Sequence, residues 1–445
     1  MSRTSPRKWH IEALRIVAAL FVLFNHTGEE GFFLFAAQPA TSPLCWAYLS
    51  LSILCKAAVP LFFMASGALL LTDKREEPPR VTLTRRAGRM AAVLLLTSLG
   101  YEIWHCRLWE TPFSVLHFLE GLYRGSICTP LWYLYAYLGM LVCLPLLRRL
   151  AQGLRDAEFR YWIRCLLLFQ GVVPVAAALL WPDGAPASGF SLGWAAMQVV
   201  CYPCLGYFAE YRVPREALSH KALGKLAAGC LAGVGASAAL TLLAARRSGI
   251  CTEAQSQGFF TLFTPLYALT IYLGLRRLCS PRPAAGDVPS GRSKSCNVAD
   301  DVLRKSCGTD PDGAPRTALE DVSPGRPKSC IAAGKVPWKN GEKGPDGAPP
   351  FVAEDVPSGR LAPDMRPAAK SGWARLLCTA GEGTFFLYLS HVWIMNLPPL
   401  RALRTALCPV LGEMGATLAY LIAVFVVGDL AGWALRRVPG VRKLL

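Results

Sequence analysis

Apolar runs about as long as a bilayer is thick recur along most of this 445-residue chain, and they limit its fold more than any other feature. A hydrocarbon core about 30 Å thick needs roughly 20 apolar residues in a helix. Such runs fall near 10–28, 46–72, 88–106, 130–147, 161–181, 190–209, 222–245, 259–277, 380–398 and 414–435. The run at 380–398 is short and ends at Pro398-Pro399. The first reads as a retained span and not a cleavable signal peptide, because Arg15 interrupts it and no small-residue cleavage site precedes Glu29-Glu30.

Between the eighth and ninth runs the composition changes. Residues 282–370 contain no long apolar run but hold 13 of the 33 prolines, with 14 basic and 12 acidic side chains. Asp287-Val288-Pro289-Ser290-Gly291-Arg292 returns with little change at 321–326 and 355–360, a period of 34 residues. That period invites a helical-repeat reading, but Pro and Gly break the units and no amphipathic pattern runs through them. So little apolar surface cannot offset the entropy of ordering, and the segment reads as a disordered insertion. The expected architecture is therefore all-α: a polytopic integral membrane protein of about ten transmembrane helices, carrying a disordered cytoplasmic insertion. Its parts are 1–281 (eight helices), the insertion at 282–370, and 371–445 (two helices).

The formal net charge of +17 comes from 47 Lys and Arg against 30 Asp and Glu. Nucleic-acid binding is the usual suspicion for such a balance, but almost all of the excess lies in short loops between apolar runs. With the N-terminus inside, 22 basic residues fall on the cytoplasmic side and 6 on the other. That split follows the positive-inside bias and places both termini in the cytoplasm. The charge is a topology signal, and nucleic acid is excluded as a partner. The 16 cysteines are scattered without the spacing of a zinc site, and no metal is expected. Cys201 and Cys204 have redox-pair spacing but sit inside an expected span, where small apolar residues at a proline kink are the simpler reading.

Ionisable groups at membrane depth cost about 2.5–3.5 kcal/mol each on insertion scales, so each is a candidate for function. The first span carries Glu12, Arg15 and His26. Arg15 and His26 are 11 residues apart, which at about 100° per residue leaves them roughly 20° apart in azimuth and about 16 Å apart along the axis. Glu12 and Arg15 are i,i+3 neighbours able to pair. Interfacial snorkelling accounts for any one of these residues, but not for their common face. Lys56 lies mid-span, just ahead of Val59-Pro60-Leu61-Phe62-Phe63-Met64-Ala65-Ser66-Gly67, where Pro60 and Gly67 can open the helix and let Ser66 line a cavity. His391 ends Leu387-Tyr388-Leu389-Ser390-His391 in the ninth run. Glu102, His105 and Asp429 read as interface or packing residues.

Taken in order, these pieces resemble the acyltransferase-3 family of integral membrane acyltransferases. Ile11-Glu12-Ala13-Leu14-Arg15 with His26 resembles the family's first-helix motif, an Arg and a His separated by ten residues. Val59–Gly67 resembles its VPLFFxxSG motif, Leu131-Trp132-Tyr133-Leu134-Tyr135 its LWYL-type span start, and Tyr388–His391 its late YLxH signature. The chain departs at Glu12, where Asp is frequent, at Pro130, where His is frequent, at Val392, where Pro is usual, and in the insertion.

The resemblance implies transfer of an acyl group, acetyl first of all, from a cytoplasmic acyl-CoA to a hydroxyl of an extracytoplasmic glycan or lipid-linked sugar. The lipid bilayer, acyl-CoA and that acceptor are the implied partners, and no bound cofactor is implied. On this reading His26 acts as general base, Glu12 orients Arg15, Arg15 and Lys56 hold the donor, and Ser66, Trp132 and His391 line the cavity. The expected location is the plasma membrane. A transporter or flippase for a polysaccharide precursor is the second reading, disfavoured because no inverted repeat of broken spans is visible. A scaffold acting through the insertion is the third.

Overall fold

The computed structural model describes residues 8–72, 78–180, 197–248, 259–279 and 372–438. Contacts divide the chain into one unit of Met1–Pro281 with Pro367–Leu445 and another of Arg282–Arg366. The expected insertion, its repeats and Cys296, Cys307 and Cys330 lie outside the described residues.

Every regular element among the described residues is helical. In chain order the helices are α1 (Trp9–Asn25), α2 (Pro43–Cys55), α3 (Ala58–Leu70) and α4 (Gly88–Leu108), the last entered through a π-helical turn at Thr82–Ala87. Then come α5 (Val115–Arg124), α6 (Trp132–Val142), α7 (Leu144–Gly153), α8 (Asp156–Leu167) and α9 (Val173–Leu180). The series ends with α10 (Tyr202–Tyr211), α11 (His220–Ser248), α12 (Thr264–Leu278), α13 (Gly372–Met395) and α14 (Pro398–Leu435).

Four stretches among the described residues are long and apolar enough to cross a bilayer: Pro43–Leu70, Asp156–Ala177, His220–Arg246 and Pro398–Leu435. A bent pair, Thr129–Val142 with Leu144–Gly153, makes a fifth if its 68° turn is one broken span. Fewer helices qualify than the ten hydropathic runs, for reasons visible in the chain. α1 is 17 residues long and α12 is 15, α4 carries Arg89, Glu102 and Arg107, the run at 130–147 is broken at Cys143, and the run at 190–209 lies partly outside the described residues. On the C-terminal part of α14, Leu418, Ile422, Val426 and Leu430 recur every fourth residue and are all exposed. An outward apolar stripe of that kind fits hydrocarbon and is out of place in water.

α1 packs between α3 and α13, burying Ile11, Leu14, Ala18 and Leu23. α3 also crosses α10 at very close range. A Cβ on Gly67 would collide with the backbone of Pro203, and one on Gly206 with the backbone of Met64. In a bilayer helices gain little hydrophobic drive from meeting one another, so small residues that let backbones touch are a main source of association. Cys201 and Cys204, at the same crossing, are buried free thiols.

α2 and α3 form one span with an interruption. Ser42 caps α2, its Oγ accepting from the Leu44 N–H at 3.2 Å. The helix stops at Cys55, and α3 restarts two residues later, ahead of Pro60. Proline lacks an N–H and removes one rung of the helical ladder. At the break the Asn25 Nδ2 donates to the Cys55 carbonyl at 2.9 Å, joining the end of α1 to the end of α2.

Candidate active site

The residues expected to act together fall into two groups, strung along α1. At the Glu12–Arg15 end lies a cavity of about 640 Å³, enclosed by α1, α3, the start of α4, α6 and α13. Its wall carries five arginines, Arg15, Arg85, Arg86, Arg89 and Arg436, and among the described residues one carboxylate, that of Glu12. Glu12 is buried, and the Arg15 Nη1 donates to its Oε1 at 3.4 Å. α13 comes this close because residue 381 is glycine, since a Cβ there would strike the Glu12 carboxylate. Guanidinium groups gathered on one wall have the chemistry to receive an anion, and arginine forks suit phosphate and carboxylate oxygens best.

Opposite the arginines the wall is aromatic. Tyr133 is its centre, with ring centroids 5.6 Å from Tyr137, 6.0 Å from Phe62 and 4.9 Å from Tyr388. Ser66 lies in the same wall, within hydrogen-bonding reach of the Tyr133 and Tyr137 hydroxyls. The Tyr388 hydroxyl donates to the Pro130 carbonyl, pinning α13 to the turn before α6. The unusual proline at 130 is harmless in this respect, because the bond uses the backbone oxygen that proline retains. Trp132 stands beside the wall, packing edge-on to Tyr133 at 6.5 Å, while Tyr133, Tyr137 and Leu141 are the α6 residues that line the cavity.

The second group lies about 16 Å along α1, at 1.5 Å per residue. One turn beyond Tyr388 on α13, His391 faces His26, the ring centroids 4.9 Å apart and tilted by 42°. His26 is exposed, while His391 has no exposed surface. The His391 Nδ1 lies 2.6 Å from the Tyr388 carbonyl, whereas its Nε2 is buried with no hydrogen-bond partner among the described residues. Because a carbonyl oxygen only accepts, Nδ1 carries the proton and Nε2 keeps its lone pair.

Lys56 belongs to this second group. Its ammonium lies 4.4 Å from the centroid of the Phe32 ring and within electrostatic range of His26, and it does not line the arginine cavity. The sequence suggested donor binding beside Arg15. The antiparallel course of α2–α3 against α1 instead pairs Ser66 with Arg15 and Lys56 with His26. Phe32 is held under the lysine by its own N–H, which donates to Thr27 Oγ1 at 2.8 Å, and by its carbonyl, which accepts from Ser52 Oγ at 2.7 Å. His391 likewise stands outside the cavity it was expected to line, separated from it by Tyr388.

Sequence reasoning missed Arg85, Arg86, Arg89 and Arg436 as site residues, counting them only as topology charges. The signal was present in Arg85-Arg86 followed three residues later by Arg89 at the mouth of a helix. Tyr133 and Tyr137, four residues apart, were also readable as one face of α6. Glu102 is buried beside α5, 3.9 Å from the His117 imidazole, and Asp429 packs against Gly383 of α13. Among the described residues no three His, Cys, Asp or Glu side chains gather as a metal site would require.

A family model described as an acyltransferase domain (Acyl_transf_3) matches residues 9–282. No curated protein and no solved structure matches the chain. The matched stretch contains Glu12, Arg15, His26, Lys56 and Ser66 and stops short of α13, so His391 reaches the site from outside it.

Proposed function

The chain belongs to the acyltransferase-3 family, and from that premise we propose that it moves an acyl group, acetyl in the simplest case, from a cytoplasmic acyl-CoA to a hydroxyl of an extracytoplasmic glycan or lipid-linked sugar. The observation that carries this reading is the pairing of an arginine-walled cavity at one end of α1 with an imidazole at the other. An anionic donor and a hydroxyl acceptor approaching from opposite membrane faces need such an arrangement. The 22 to 6 distribution of basic residues supports a cytoplasmic arginine end. Ten spans, both termini inside and a cytoplasmic insertion in the plasma membrane complete the proposed topology.

In this reading the arginines hold the donor phosphates, with Arg15 steadied by Glu12. The thioester arm runs along Ser66, Tyr133 and Tyr388 toward His26. A neutral imidazole at His26 takes the acceptor proton as the hydroxyl oxygen bonds to the acyl carbon. General-base help of this kind contributes typically 10²–10⁴-fold. The C–S bond then breaks with its electron pair leaving on sulfur, and the imidazole returns its proton to the thiolate. Lys56, placed beside His26, is positioned to stabilise the negative carbonyl oxygen that develops in between.

The test is transfer of label from acetyl-CoA to surface material by membranes carrying the parent chain, His26→Ala or Arg15→Ala. Transfer by the parent, lost on either substitution, is expected. Undiminished transfer in both variants would sink the mechanism.

A further inference from the structure

We propose that His391 is a positioning residue for the acyl transfer, accepting an N–H from His26 so that the opposite nitrogen of His26 presents its lone pair to the acceptor hydroxyl. The proposal rests on the acyltransferase reading and deepens it by naming what sets the tautomer of its base.

Three features of the structure lead there. First, the tautomer of His391 is fixed by its own helix. The Tyr388 carbonyl, 2.6 Å from Nδ1, can only accept, so the free lone pair sits on Nε2. Second, that lone pair is buried without a partner among the described residues. A buried unsatisfied acceptor costs roughly 1–3 kcal/mol, so such groups are few in native proteins and each asks for a reason. Packing alone is no reason, because a phenylalanine would fill the same volume with no acceptor to bury. Third, the ring that can supply a donor is beside it: His26 lies at 4.9 Å between centroids, and its exposure leaves it room to turn. A modest rotation of the His26 ring brings one N–H onto His391 Nε2.

The geometry also separates the roles. His391 has no exposed surface, so it does not reach the acceptor. His26, the exposed member, meets the hydroxyl. When the hydroxyl oxygen attacks the thioester carbon, its proton moves to the outward nitrogen of His26. The positive charge then shared across the ring is stabilised by the inward N–H donating to His391. As the C–S bond breaks and its electron pair leaves on sulfur, the proton passes from His26 to the thiolate. His391 keeps its own Nδ1 proton throughout.

Rates of label transfer from acetyl-CoA to the membranes' own acceptors are compared for the full-length parent, His26→Ala, His391→Phe and His391→Gln. Phenylalanine keeps the ring volume and removes the acceptor, while glutamine gives up some packing but offers a side-chain oxygen. A merely structural role ranks Phe above Gln. Positioning predicts the reverse: His391→Phe lowers kcat roughly 10- to 100-fold, within the range general-base help contributes. The acetyl-CoA KM stays unchanged, and His391→Gln recovers most of the rate. His391→Met takes the place of Phe if the latter does not accumulate folded. Full activity in His391→Phe, activity no higher in Gln than in Phe, or a loss confined to KM overturns the proposal. A parent that transfers no label instead defeats the enzyme reading itself, and this inference with it.

Discussion

Replacing Arg85 by Gln asks what the arginine wall holds. Arg85 lines the cavity yet is exposed, so its loss removes a charge without opening the packed core. A hydrogen bond to a charged partner contributes roughly 1.5–3 kcal/mol, and about 1.4 kcal/mol corresponds to a factor of ten. The KM for acetyl-CoA should therefore rise about ten- to a hundredfold, with the lower end expected for an exposed guanidinium that water already solvates. kcat should not change, because the cavity lies about 16 Å along α1 from His26. The assay measures initial rates in membrane vesicles with two donors, acetyl-CoA and S-acetyl-pantetheine, which carries the same thioester without the nucleotide phosphates. Only the acetyl-CoA KM should shift, and its dependence on salt should weaken with one cavity charge gone. An equal shift for both donors would refute the phosphate assignment. So would a fall in kcat at unchanged acetyl-CoA KM.

Lys56→Met separates the two placements considered for this lysine. Beside His26, its loss should lower kcat about 10²–10³-fold, as removal of one oxyanion donor does, at constant acetyl-CoA KM; a rise in that KM alone would return Lys56 to the donor. Gly206→Ala forces a Cβ into the backbone of Met64 at the α3–α10 crossing, and overpacking of this kind costs typically 1–3 kcal/mol. A lower thermal midpoint in detergent is expected, while Gly224→Ala, where nothing lies within 4 Å, should leave the midpoint level or higher; equal behaviour of the two would contradict the close crossing.

How far the sequence went depends on the kind of information each residue carries. The shared face of Arg15 and His26 was readable because helical periodicity acts within one segment. Membership in the family was readable for the same reason, its motifs being short and local. The placement of Lys56 beside His26 was not readable, because partnership across an antiparallel pair depends on where each helix stops, and no periodicity reports the break at Lys56–Ala57. The meeting of His391 with His26 joins residues 365 positions apart. It depends on Gly381 letting α13 lie against Glu12, a contact that only the packed chain reveals. The arginine wall was counted charge by charge for topology, a sum that ignores which charges converge. Hydropathy found ten runs because it averages over windows. Helix length and breaks are finer properties: α1 ends after 17 residues, and α4 carries charged residues that lower its hydropathy.

The interruption at residue 56 has a consequence for charge. His26 is the C-cap of α1 and Lys56 the C-cap of α2, and the Asn25–Cys55 hydrogen bond holds the two helix ends together. The end of a helix carries roughly half a negative charge from its aligned peptide dipoles, and a cation placed there gains about 0.3–1 kcal/mol, up to about 2 when partly buried. Two such poles converge where the lysine ammonium resides and where an imidazolium must form in passing. The backbone thus offers counter-charge to both groups. An aspartate in its place would compete with the acceptor for the proton; a peptide dipole cannot be protonated.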